Sequence, residues 1–150
     1  MRVMKKIFML FALVFLLFTL HASTSEGPID KRVLKDFQTK FEGATDVSWT
    51  VGNTYFEAVF TLHGQKLYAF YGLDSEFIAV ARYVSSSALP LRLQTNLKKM
   101  MGVYWITDLF EATNEQGTMY YVTLEKADSK MVLESAPTGN WEAIQKDKED

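Results

Sequence analysis

Apolar residues switch between a helical period and a strand period in a fixed order along this chain, and the order occurs twice. Over residues 30–42, Val33, Leu34, Phe37 and Phe41 recur three and four residues apart, which puts them on one stripe of a helix. Asp30 is placed to cap that helix by accepting a free backbone N–H, and Gly43 to close it in a left-handed conformation. Four strand-like runs follow. Residues 47–51 alternate apolar and polar. Residues 55–62 put Phe56, Ala58, Phe60 and Leu62 on one face, and 67–71 do the same with Leu67, Ala69 and Tyr71. Residues 77–84 are rich in apolar and β-branched side chains. Gly52-Asn53, His63-Gly64 and Asp74-Ser75 read as the turns, the first as a two-residue hairpin because both residues tolerate positive φ.

The order then restarts. Pro90 opens a second predicted helix, since its missing N–H suits a first turn. Leu93, Leu97, Met100 and Met101 share its apolar face, and Gly102 is placed to end it as Gly43 ends the first. Strand-like runs resume at 103–113, 118–125, 130–135 and 140–145. Helix positions in the two halves differ by about 60 (Phe37 with Leu97, Phe41 with Met101) and strand positions by about 64 (Phe60 with Leu124, Leu67 with Met131, Phe77 with Trp141). The expectation is two tandem helix-plus-four-strand units, about 30–86 and 88–146. Together they form an α+β fold: one twisted antiparallel sheet of about eight strands with two helices on one face. The other face is then left to water, as antiparallel sheets allow.

The first 23 residues break this pattern. Arg2, Lys5 and Lys6 precede an apolar run from Ile7 to Leu20, and His21-Ala22-Ser23 brings small residues before a polar stretch. That is the layout of a secretory signal peptide, and the run is short for a membrane span of about 20 residues. No second basic flank follows, as an uncleaved anchor would want. Residues 1–23 are therefore expected to be removed near Ala22–Ser23. Residues 24–150 remain as one exported domain, periplasmic or secreted, with no membrane span in the mature form.

Composition narrows the function classes. Zero cysteines exclude disulfide scaffolds, thiol nucleophiles and Cys-ligated metal sites. Loss of the three basic signal residues leaves 13 Lys and Arg against 18 Asp and Glu, a charge near −5. An acidic domain without clustered Lys and Arg is a poor nucleic-acid partner. His63, the one mature histidine, sits beside Gly64 in a predicted turn and reads as a solvated residue, without the nucleophile and orienting acid of a catalytic base. Glu57, Glu111 and Glu125 fall on predicted strands, with Asp46 and Asp108 near strand ends. Nothing in the spacing converges two of them for acid–base work, and they read as solvated strand faces. Asp74-Ser75-Glu76 lacks the spaced oxygens of a calcium loop and reads as a turn. Residues 146–150 read as a solvated charged end. No cofactor, metal or catalytic residue is expected.

Gly43-Ala44, Val47-x-Trp49, Phe56-x-Ala58-x-Phe60, Asp74-Ser75 and Leu89-Pro90 resemble, in that order, the pattern of bacterial PepSY-like domains, also called beta-lactamase-inhibitor-like domains. The likeness spans nearly the whole mature chain. Its motifs are short and apolar, so they signal a fold and carry no chemistry. Asp74-Ser75-Glu76 departs from it, standing where a glycine is usual. The resemblance implies an exported protein with the fold of a secreted inhibitor that lays a concave sheet on beta-lactamase. A shared fold does not transfer the activity.

The aromatics give the candidate site. Phe56, Phe60, Tyr71, Tyr120 and Phe77 alternate in phase with aliphatics and are expected in the core. Tyr55, Tyr68, Phe70 and Tyr121 take the opposite phase, among Glu57, Thr61, Thr123 and Glu125. Exposed on a concave sheet, they would form a protein-binding hot spot; cross-strand pairing that merely stabilises the sheet is the plainer account. Trp49, Trp105 and Trp141 are ambiguous in this reading; each could pack under a helix. The expected function is a non-enzymatic exported module that binds an extracytoplasmic protein, an enzyme among the candidates, through Tyr55, Tyr68, Phe70 and Tyr121. The alternative is a small-molecule or lipid carrier with a pocket between sheet and helices.

Overall fold

The computed structural model describes residues 28–148; the signal-peptide reading at 1–23 lies outside them. The described chain runs α1 (Lys31–Lys40), β1 (Thr45–Val51), β2 (Tyr55–Leu62), β3 (Gln65–Gly72), β4 (Phe77–Tyr83), a short 3-10 turn (Ser86–Ala88), α2 (Leu91–Met100), β5 (Trp105–Asn114), β6 (Gly117–Lys126), β7 (Ser129–Ser135) and β8 (Glu142–Lys148). The eight strands form one sheet in sequence order, so each neighbour in the chain is a neighbour in the sheet. A helix and four strands, twice, is the expected α+β fold. By packing, the chain divides into two compact units. Unit one is the described chain up to Gln65 with Ala69–Ile78, and unit two is Lys66–Tyr68 with Ala79 onward.

In unit one, α1 starts where Asp30 accepts the Arg32 backbone N–H at 2.8 Å. The Arg32 guanidinium also pairs with that carboxylate at 2.8 Å. These bonds from Arg32 hold the Asp30 carboxyl well below the usual carboxylate range. Gly43, at φ 84, supplies the left-handed residue past the helix end. The buried stripe is Val33, Phe37 and Phe41. Phe37 is the hub, its ring 5.2 Å from Phe41, 5.1 Å from Trp49 and 4.9 Å from Phe60, the last two edge-on. A polar clamp sits beside them. The Tyr71 hydroxyl donates to Asp36 Oδ2 at 3.0 Å, while Lys40 holds Asp36 Oδ1 at 2.7 Å. Burial first, then the Asp36 carboxylate, raises the Tyr71 hydroxyl far above its ordinary range.

Two turns differ from expectation. Gly52 donates its N–H to the Tyr55 carbonyl at 2.8 Å, so the hairpin turns on Asn53-Thr54, and neither Gly52 nor Asn53 has positive φ. Gly102 also has no positive φ; Val103 and Tyr104 both donate to the Met100 carbonyl at 3.1 Å and close α2 without a left-handed residue.

In unit two, α2 lays Leu93 and Leu97 on a cluster with Leu89, Leu109, Val122, Leu124 and Leu133. Trp141 joins it and donates its indole N–H to the Leu93 carbonyl at 3.1 Å, which pins the approach to β8 onto the helix. Of the other tryptophans, Trp49 packs under α1 and Trp105 is 51% exposed.

Candidate functional site

Strand register fixes which residues face away from α2. Leu109, Val122 and Leu133 stand directly opposite one another on β5, β6 and β7 and belong to the α2 cluster. Successive side chains in a strand point to opposite faces. The next residue on each strand therefore points away from the helix, giving the row Phe110, Tyr121 and Glu134. Tyr83 on β4 pairs with Phe110, and Glu142 on β8 pairs with Glu134. The row Tyr83–Phe110–Tyr121–Glu134–Glu142 thus crosses five strands of unit two, aromatic at one end and acidic at the other.

The aromatic end is closely stacked. Tyr83 and Phe110 rings lie 4.0 Å apart, and Tyr68 from β3 meets Tyr83 edge-on at 5.8 Å. Tyr83 is 51% exposed and Tyr68 half-buried. Lys66 stands 5.7 Å above the Tyr68 ring. In unit one, Tyr55 and Phe70 form an edge-on pair at 6.0 Å, and they too take the phase opposite the α1-facing residues.

The four sequence-predicted residues therefore keep their predicted phase but not their predicted exposure. Tyr55 and Tyr68 are half-buried, whereas Phe70 is 0% and Tyr121 2% exposed. Phe70 is on an interior strand with Tyr55 against it. Tyr121 lies between Phe110 and Glu134 on the flanking strands. Period-2 reading gives a face; it does not give the cover that cross-strand neighbours provide on that face. The sequence reading missed Tyr83, the most accessible of the stacked aromatics. Its only signal was one tyrosine at the end of an apolar run.

Three of the acidic residues also differ from the solvated reading, whereas Asp46 is exposed as expected. Glu111 is paired with Arg82 at 3.0 Å and Glu125 with Lys130 at 3.1 Å. Glu57 is half-buried, and burial raises its carboxyl above the usual range. Glu134, unnoticed in the sequence, has its Oε2 buried without a hydrogen-bond partner. Burial, then the Glu142 charge, raises its carboxyl too. Burial and the Glu134 charge raise the neighbouring Tyr121 hydroxyl well above its ordinary range. His63 is exposed in its turn at φ 50. Among the described residues no group of three potential ligands is close enough to hold a metal, and no helix is long and apolar enough to cross a membrane.

A second feature lies on the other side of α2. A groove of about 590 Å³ runs along the helix, lined by Ser86, Leu91, Gln94, Thr95, Leu97, Lys98 and Met101. Its lining comes from the helix and its approach, with no strand residue, so it is not the pocket between sheet and helix that the sequence suggested.

No family model matches the sequence, and no curated protein does. Solved structures do match. A BLIP-like protein from Bacteroides fragilis aligns with TM-score 0.68 at 17% identity, over 85% of this chain and 92% of that one. The chain has the BLIP-like fold. A Bacteroides eggerthii protein with a provisional periplasmic description aligns with TM-score 0.68 at 12% identity, over 81% and 90% of the two chains. A DUF2874 family protein from Bacteroides ovatus aligns with TM-score 0.69 at 13% identity, over 81% and 89%. At these identities the likeness shows the fold alone.

Proposed function

We propose that the chain is an exported, non-enzymatic binding module of the PepSY-like kind that engages a protein partner through the sheet face of unit two turned away from α2. The observation that carries this reading is the Tyr68–Tyr83–Phe110 stack, an aromatic anchor with one ring half in water and its partners already packed. Rigid, pre-packed aromatics bind with little loss of side-chain freedom, which is why such residues dominate protein-binding hot spots. Tyr55 and Phe70 form the corresponding aromatic pair of unit one, and Tyr121 backs the unit-two stack. The layout of residues 1–23 and the descriptions of the fold neighbours support an extracytoplasmic setting. The BLIP-like description of one neighbour fits protein recognition by this fold.

The test is affinity capture from the envelope fraction with the chain from residue 24, beside a Tyr68→Ser/Tyr83→Ser variant. Phe70→Ala is a poor choice, because emptying a fully buried ring site would unfold as well as unbind. A partner held by wild type and lost by the folded double variant is the expected result; equal capture would refute the face assignment. The alternative, a small-molecule or lipid carrier, rests on the α2 groove, whose volume falls within the range of ligand sites. Native mass spectrometry showing a bound molecule displaced by Leu91→Glu would favour it.

A further inference from the structure

The same sheet face carries an imbalance of charge that names what the partner must bring. Glu134 and Glu142 stand directly opposite on β7 and β8. Two like charges at directly opposed positions repel and destabilise a strand pair. Glu134 is half-buried, and its Oε2 is buried without a hydrogen-bond partner, so this oxygen has lost water and gained nothing in exchange. Neither glutamate enters an ion pair among the described residues, although Glu111 and Glu125 on the neighbouring strands each have one. Glu142 is exposed and Glu134 half-buried, so solvent reaches the pair from the Glu142 side. The rest of the row is aromatic, and the mature chain is acidic overall.

We infer that the Glu134–Glu142 pair receives an arginine or lysine side chain of the protein partner, seated on the row that Tyr83, Phe110 and Tyr121 continue. A cation placed between the two carboxylates removes their mutual repulsion and donates to the oxygens that face solvent. A guanidinium does both with one planar group, donating to two oxygens at once. The aromatic end then takes the apolar part of the same segment. This inference rests on the sheet-face reading above and adds the charge of the segment that binds there.

The test is selection of random twelve-residue peptides displayed on phage against the chain from residue 24. Selected peptides are re-measured against three double variants. Glu134→Gln/Glu142→Gln removes the pair, Tyr68→Ser/Tyr83→Ser removes the anchor, and Glu42→Gln/Glu115→Gln removes the same charge from exposed turns elsewhere. Thermal melts establish that each variant is folded. The expected result is enrichment of Arg or Lys, affinity reduced about tenfold or more by the first variant, and affinity unchanged by the third. Equal losses in the first and third variants would reduce the effect to overall charge and overturn the inference. Peptides that depend on Tyr68 and Tyr83 but not on the glutamates would overturn it and leave the sheet-face reading standing. Peptides indifferent to both sites, or no selectable peptide, would overturn both.

Discussion

Replacing Phe37 by alanine removes the ring on which α1 is seated, and the structure sets the size of the effect. The ring is buried and contacts three others, Phe41, Trp49 and Phe60, at centroid distances of 4.9 to 5.2 Å. Deleting a buried phenylalanine costs about 3–5 kcal/mol, from lost transfer energy and the cavity left behind. The edge-on partners push this site toward the upper half of that range, since such pairs add about 0.5–1.5 kcal/mol beyond area. Against a total stability of about 5–15 kcal/mol, the change removes about a quarter or more of what holds a domain of this size. Phe37→Leu keeps most of the volume and should lose roughly 1–1.5 kcal/mol. The assay is urea unfolding followed by tryptophan fluorescence, in which Trp49 reports from the site itself. A shift of midpoint with unchanged slope measures stability alone. An alanine variant losing less than about 1 kcal/mol would mean that α1 is not docked on this cluster, and the sheet of unit one would then lack its backing.

Tyr71→Phe should cost about 1–2 kcal/mol by equilibrium unfolding, because it removes a hydroxyl donating to a charged carboxylate that keeps Lys40 as a second partner; no loss would dissolve the clamp between α1 and β3. Gly64→Ala should cost about 1 kcal/mol, since the residue sits at φ 76 with open space around it and the penalty is conformational. A neutral result by thermal melt would place the turn in another conformation. Glu134→Gln should stabilise the protein at neutral pH and flatten its pH dependence. The Glu134 carboxyl is raised in the folded state, so the folded chain binds its proton more tightly than the unfolded chain. Stability then rises as pH falls from above the raised value toward the ordinary carboxylate range. Melts across that window should slope for wild type and less for the variant, and identical slopes would contradict the burial assigned to Glu134.

The sequence carries the α+β order because each element repeats a simple period. Phe37 and Phe41 share a helical stripe, Phe56, Ala58 and Phe60 a strand face, and both sets are buried together. It carries the face of Tyr55, Tyr68, Phe70 and Tyr121 for the same reason. Their exposure was not legible, since burial of Phe70 and Tyr121 depends on which side chains the flanking strands set beside them. The accessible ring, Tyr83, and the Glu134–Glu142 pair arise only from the register of β4 with β5 and of β7 with β8. Pairings between residues on different strands leave no mark on either strand alone. The turn at Asn53-Thr54 shows the limit for local signals too: Gly-Asn marked a hairpin, but the hydrogen bond from Gly52 to Tyr55 set it one residue further on.

Photo-crosslinking in the living cell tests the binding face most directly. A benzoylphenylalanine replaces Tyr83 on the sheet face in one strain and Leu91 on the α2 groove in another, both positions being well exposed. Irradiation should join a discrete partner protein to the chain from position 83 and none from position 91. A crosslink from position 91 with none from position 83 would contradict the account and place recognition on the helix.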